Sequence, residues 1–85
     1  MTSEIVMYVK PTCPFCTAAG KLLHGKGVKW REIDIAAEPE RRDEMIERSG
    51  QRTVPQIFIG EEHVGGFDDL DALDQEGALD RMLQS

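Results

Sequence analysis

The sequence predicts an α/β fold, a four-stranded mixed sheet flanked by helices in the order β-α-β-α-β-β-α. Three observations predict it. Short apolar runs rich in β-formers alternate with apolar stripes of helical period. The first two strand-like runs are joined through a helical stripe, which makes them parallel. The last two are separated only by Gly60-Glu61-Glu62, a tight turn that makes them an antiparallel hairpin.

Residues 4–9, Glu-Ile-Val-Met-Tyr-Val, read as a buried central strand. Lys10-Pro11-Thr12 is a loop, and Pro14 suits the first turn of a helix, where a missing N–H costs nothing. Phe15, Ala18, Ala19, Leu22 and Leu23 follow at the spacing of one helical face, stopped by Gly25 and Gly27. Residues 28–35 alternate, but the apolar phase slips between Trp30 and Ile33, as at a bulge or a strand's end. Pro39 opens a second helix, marked by Met45 and Ile46 and closed by Gly50. Residues 57–59 form the third strand and His63-Val64 a short fourth. Asp68 is placed to cap a last helix starting near Asp69, with Asp71 adding acid to its first turn. Leu70, Leu73, Leu79, Met82 and Leu83 give that helix an apolar side, interrupted at Gly77.

At 85 residues the chain is expected to be one domain, residues 1–85. Such a chain buries roughly 60 to 65% of its unfolded surface. It has no run of about 18 apolar residues to span a membrane. Its Met-Thr-Ser-Glu start lacks the basic and apolar regions of a signal peptide. A cytoplasmic monomer is expected. The formal net charge of −6 argues against nucleic acid, because phosphate contacts need clustered Lys and Arg. Residues 1–52 hold nine basic and eight acidic side chains (+1), whereas 53–85 hold one and eight (−7). An anionic ligand must therefore be held by local groups.

The two cysteines are the most informative part of the composition. Cys13-Pro14-Phe15-Cys16 closes almost no loop, so a bridge there stabilises little. The pair is chemical rather than structural. Cys13 falls at the helix N-terminus, where free backbone N–H groups and the positive end of the dipole favour a thiolate. Cys16 lies one turn in, more covered. The exposed thiol attacks and the buried one resolves. Acidification raises the thiolate fraction but weakens the nucleophile, and the gain appears when Cys13 leaves a mixed disulfide. That suits an enzyme that turns over. Half of a zinc site is the competing explanation, but structural zinc needs four ligands. His24 and His63 do not have the spacing to complete one, so no metal is expected.

Thr53-Val54-Pro55 precedes the third strand, where proline belongs because it cannot donate to a ladder. A cis bond at Val54-Pro55 would turn the Val54 N–H and C=O towards an extended peptide, although a trans proline is the commoner case. Gly65-Gly66-Phe67-Asp68-Asp69 is a flexible turn into a helix. Its amides could hold a carboxylate and its aspartates an ammonium.

In this order and spacing, Cys-Pro-Phe-Cys, Thr-Val-Pro and Gly-Gly-Phe-Asp-Asp resemble a glutaredoxin of the short bacterial dithiol type. The likeness runs over nearly the whole chain, including Glu-Met-Ile-Glu-Arg-Ser-Gly and Pro-Gln-Ile-Phe-Ile-Gly. It implies a thioredoxin-like fold and a cis Pro55. It also implies reduction of glutathione mixed disulfides and protein disulfides, with glutathione as co-substrate and no tightly bound cofactor. Cys13 resembles the family's nucleophile and Cys16 its resolving thiol. Lys10 and Arg42 match basic positions that hold the glycine carboxylate of glutathione. Thr53, Val54 and Pro55 match the segment whose Val54 backbone pairs with the cysteinyl part. Gly66, Phe67 and Asp68 match the turn that binds the γ-glutamyl carboxylate, and Asp69 the group near its ammonium. Phe15 stands where the family usually has tyrosine, which removes a hydroxyl near the thiols and keeps the apolar wall.

The partners implied are glutathione and proteins that are glutathionylated or carry a disulfide. Two other functions compete. A redoxin fed by a flavoprotein reductase is disfavoured by Lys10, Arg42 and the Asp68-Asp69 turn. A dimer holding a [2Fe–2S] cluster on Cys13 and glutathione is disfavoured by Pro14 and by Cys16, whose disulfide competes with metal. Tyr8, Trp30 and Met45 read as packing residues, and Arg41-Arg42 as a solvated helix face apart from the family match.

Overall fold

The computed structural model describes residues 4–84. Met1, Thr2 and Ser3, read above for a targeting segment, lie outside the described residues, as does Ser85. In chain order the elements are β1 (Ile5–Val9), α1 (Pro14–Gly25), β2 (Arg31–Asp34), α2 (Pro39–Ser49), β3 (Gln56–Ile59), β4 (Glu62–Gly65), α3 (Phe67–Gln75) and α4 (Ala78–Gln84). The four strands lie in the order β2-β1-β3-β4. β1 pairs parallel with β2 and antiparallel with β3, and β3 pairs antiparallel with β4. This is the mixed sheet the sequence predicts.

Strand alternation divides the core into two layers. Ile5, Met7, Val9, Ile57 and Ile59 face one side, where Ala19 and Leu23 of α1, Leu70 of α3 and Leu79 and Leu83 of α4 meet them. Tyr8 and Phe58 face the other side, with Ile33, Ile35 and Met45 of α2. Tyr8 is fully buried, and its hydroxyl donates to the Glu44 carboxylate and accepts from Arg48 Nη1 at 2.9 Å. Burial above all, and then Glu44, push its pKa up, so it stays a neutral donor.

Four details depart from the sequence reading. The second strand is shorter, because residues 28–30 do not join the ladder; Val28 and Trp30 pack half-buried against the larger core instead. The phase slip is therefore a strand start, and the sheet's irregularity lies in β4. There Ile57 pairs with Gly65 and Phe58 with His63, leaving Val64 as the extra residue. The third helix begins at Phe67, with Gly66 rather than Asp68 at its N-cap. Asp69 takes the capping role by reaching back, its Oδ2 accepting the Gly66 N–H at 3.1 Å. Finally, Gly77 at φ +79° splits the last helix in two. Lys26, beyond the end of α1, spans that break by pairing with Asp74 on α3 and, at 2.9 Å, with Asp80 on α4. No helix among the described residues is long and apolar enough to cross a membrane.

Candidate active site

The chain leaves β1 at Val9, turns through Lys10, Pro11 and Thr12, and enters α1 at Pro14. Thr12 adopts φ +52°, uncommon for a β-branched residue and costly unless its surroundings hold it. Cys13 follows as the N-cap in an extended conformation. Its sulfur occupies the place of a capping oxygen, and the Cys16 N–H donates to Cys13 Sγ at 3.2 Å. The helix thus begins on the first cysteine and carries the second one turn in. Both are free thiols, Cys13 half-buried and Cys16 only 9% exposed.

Burial pushes the Cys16 thiol up to about 12, reinforced by the neighbouring Cys13 and by the Glu32 charge and opposed by the Lys10 backbone. Cys16 is therefore a neutral thiol at pH 7 until something draws its proton away. Negative charge on Cys13 Sγ, in contrast, meets an N–H donor and the positive end of α1.

Two clefts flank this pair. The larger, of about 240 Å³, is lined by Phe15, by Gln51, Thr53, Val54 and Pro55, and by Gly66, Phe67, Asp68 and Asp69. The smaller, of about 140 Å³, is lined by Lys10, Thr12, Cys13, Cys16, Glu32 and neighbours. Cys13 Sγ stands between them, 4.0 Å from the Val54 carbonyl oxygen. The Val54–Pro55 bond is cis, as the family resemblance implies. Phe67 and Asp68, the first residues of α3, line the larger cleft, and the first-turn amides of a helix have no partner within it. Gly65 sits at φ +114°, and a Cβ on it would collide with the Asp69 carboxylate.

The fold therefore gathers eight of the predicted residues, Phe15, Thr53, Val54, Pro55, Gly66, Phe67, Asp68 and Asp69, around one cleft. It puts Lys10 and both cysteines around the other. Arg42 is half-buried on α2 and lines neither. Phe15 is not part of the helix's buried face. It is 59% exposed, with its ring 6.2 Å from that of Phe67. Sequence reasoning missed Gln51, which lines the larger cleft. A polar residue just after a helix-ending glycine carries no signal that would mark it.

Comparison with known proteins gives the arrangement a family. The glutaredoxin family profile matches residues 5–64. The chain is 50% identical over 82 residues to glutaredoxin 3 of Escherichia coli, covering 96% of this chain and 99% of that one. The solution structure of a glutaredoxin from Brucella melitensis superposes with a TM-score of 0.85 at 54% identity, covering 96% of this chain and 89% of the other. The crystal structure of a buckwheat glutaredoxin–glutathione complex superposes with a TM-score of 0.89 at 30% identity, over 96% and 77%. A cysteine pair opening a helix beside a cleft, on a thioredoxin-like fold matched over nearly its full length, places this chain in the glutaredoxin family of thiol–disulfide oxidoreductases.

Proposed function

We propose that the protein is a glutathione-dependent oxidoreductase that reduces glutathione mixed disulfides and protein disulfides through Cys13 and Cys16. The observation that carries this reading is the position of Cys13 Sγ, between two clefts whose linings together offer groups suited to the parts of glutathione. The Val54 backbone pairs with the cysteinyl part. The Phe67 and Asp68 amides at the start of α3 receive the γ-glutamyl carboxylate. Asp69 meets the ammonium; a carboxylate has lone pairs enough to do so while capping Gly66. Lys10, and Arg42 from α2, draw the glycine carboxylate. Phe15 and Phe67 wall the cleft. That the buckwheat glutaredoxin was solved as a complex with glutathione supports glutathione as the ligand.

With a glutathionylated protein, Cys13 Sγ attacks the glutathione sulfur. A bond forms between those two sulfurs, the old S–S bond breaks, and the protein thiolate leaves and takes up a proton. A second glutathione thiolate then attacks the glutathione sulfur, giving glutathione disulfide and freeing Cys13 as a thiolate. With a protein disulfide, Cys13 Sγ first attacks one substrate sulfur and releases the other as a thiolate. Cys16 then loses its proton and attacks Cys13 Sγ, so the Cys13–Cys16 bond replaces the Cys13–substrate bond and the second substrate thiolate leaves. Two glutathiones then reduce it. The partners are glutathione and disulfide-bearing or glutathionylated proteins, met by a monomer in the cytoplasm.

A glutathione-coupled assay on a glutathionylated peptide, run with wild type, Cys13→Ser and Cys16→Ser, tests the reading. Cys13→Ser is expected to lose all activity and Cys16→Ser to keep deglutathionylation while losing protein-disulfide reduction. Equal loss in both variants overturns the roles.

A further inference from the structure

Gln56 is a buried polar side chain that no catalytic step uses, and it is 0% exposed. A carboxamide in the interior must satisfy its polar atoms or destabilise the fold. Gln56 Nε2 lies 3.0 Å from the Thr53 carbonyl oxygen and 3.1 Å from Gln51 Oε1, with Thr53 Oγ1 a third acceptor at 3.3 Å. Its Oε1 lies 2.7 Å from His63 Nε2 on β4.

The orientation of this amide follows from its partners. A carbonyl oxygen only accepts, so the Gln56 nitrogen must face Thr53. Gln56 Oε1 must then face the imidazole, and His63 must donate from Nε2. The imidazole also lies against the Phe58 ring, with centroids 4.9 Å apart and the planes tilted by 34°. A chain of contacts thus runs from the outer strand, through a buried amide, to the turn at Gln51 and Thr53. Both of those residues line the larger cleft, and the next residue, Val54, presents its carbonyl to Cys13 Sγ.

We propose that Gln56, oriented by His63, is a positioning residue that braces the glutathione-binding wall formed by Gln51, Thr53 and Val54. The proposal rests on the glutathione reading above. It contributes no proton or electron. Without the amide, the Thr53 carbonyl loses its donor and the turn gains freedom that the ligand must remove on binding. Affinity falls, while the Cys13–Cys16 cap and the chemistry of the sulfur are untouched.

The test uses the full chain with Gln56→Leu, His63→Leu and His63→Gln, the last retaining an N–H donor of similar reach. KM and kcat are measured for a glutathionylated peptide, together with the rate of Cys13 alkylation and the melting temperature. Loss of one internal hydrogen bond, about 1 kcal/mol, corresponds to about fivefold, and Gln56 makes several, so Gln56→Leu should raise KM by about 5- to 10-fold. Its kcat and Cys13 alkylation rate should stay within about twofold of wild type. His63→Leu should raise KM by about threefold and His63→Gln should restore it. The pair at His63 decides the matter if Gln56→Leu does not fold, because there the amide remains in place. An unchanged KM in folded variants, equal losses of kcat and alkylation, or no rescue by His63→Gln overturns the proposal. A wild type active on disulfides but indifferent to glutathione would sink the functional reading, and this proposal with it. A glutathione-dependent wild type with unmoved variants would sink the Gln56 role alone.

Discussion

Cys13 Sγ accepts the Cys16 backbone N–H, so the first cysteine caps the very helix that carries the second. The bond ties reactivity to helix stability. Cys13→Ser keeps a capping atom and Cys13→Ala removes it. Cys13→Ala is therefore expected to be less stable than Cys13→Ser by about 1 kcal/mol. Urea unfolding of the two reduced variants measures the difference, and identical midpoints would show that the sulfur does not cap.

The raised Cys16 thiol sets a second expectation. Burial lifts it from 9.0 to about 12, so the folded protein holds this proton where an unfolded thiol would release it. In Cys13→Ser, alkylation of Cys16 should still be climbing at about pH 10, beyond the point where an ordinary thiol has levelled off. The same sign makes the reduced fold lose stability as pH rises through that window. A plateau near pH 9 would contradict the burial argument.

Phe15 is exposed and contributes little to the core, yet it stands over the cleft beside Phe67. Phe15→Ala should leave unfolding free energy within about 0.5 kcal/mol of wild type. Its KM for a glutathionylated peptide should rise several-fold. Stability loss without a KM change would place Phe15 in the core after all.

At Gly65 both backbone and space demand glycine, with φ +114° and the Asp69 carboxylate where a Cβ would go. Gly65→Ala should cost about 1 to 3 kcal/mol. It should also displace Asp69 and weaken glutathione binding beyond that loss. Calorimetry with and without glutathione separates the two effects.

The thiol end of the site was the most legible in the sequence. Proline after Cys13, an apolar strand before it and a helical stripe behind it fix a strand–loop–helix junction, and the chemistry follows from where a helix begins. The strand directions at the two ends of the sheet were legible too, since a helical crossover makes a parallel pair and a tight turn an antiparallel one. The β1–β3 pairing that joins them was not. What failed depends on contacts between distant residues. Nothing local distinguishes Asp68 from Asp69 as the cap; the choice depends on which carboxylate can reach back to Gly66. Phe15 keeps helical period with Ala19 and Leu23, but its ring lies at the cleft beside Phe67, which period alone cannot show. Gln56 did carry a signal, a lone amide in an apolar strand that must find partners, but its partners Gln51, Thr53 and His63 converge only in the folded chain.

Lys26 has a consequence for how the molecule comes apart. One ammonium grips a carboxylate on either side of the Gly77 break, while the helix it follows presents both thiols at its opposite end. That ionic clasp adds to the apolar packing of Leu70, Leu79 and Leu83 against Ala19 and Leu23, so the acidic tail is moored to the redox helix by charge and by contact. Concentrated salt weakens the ionic part alone, so it should ease fraying at the Gly77 break while the apolar seam with the thiol-bearing helix stays closed.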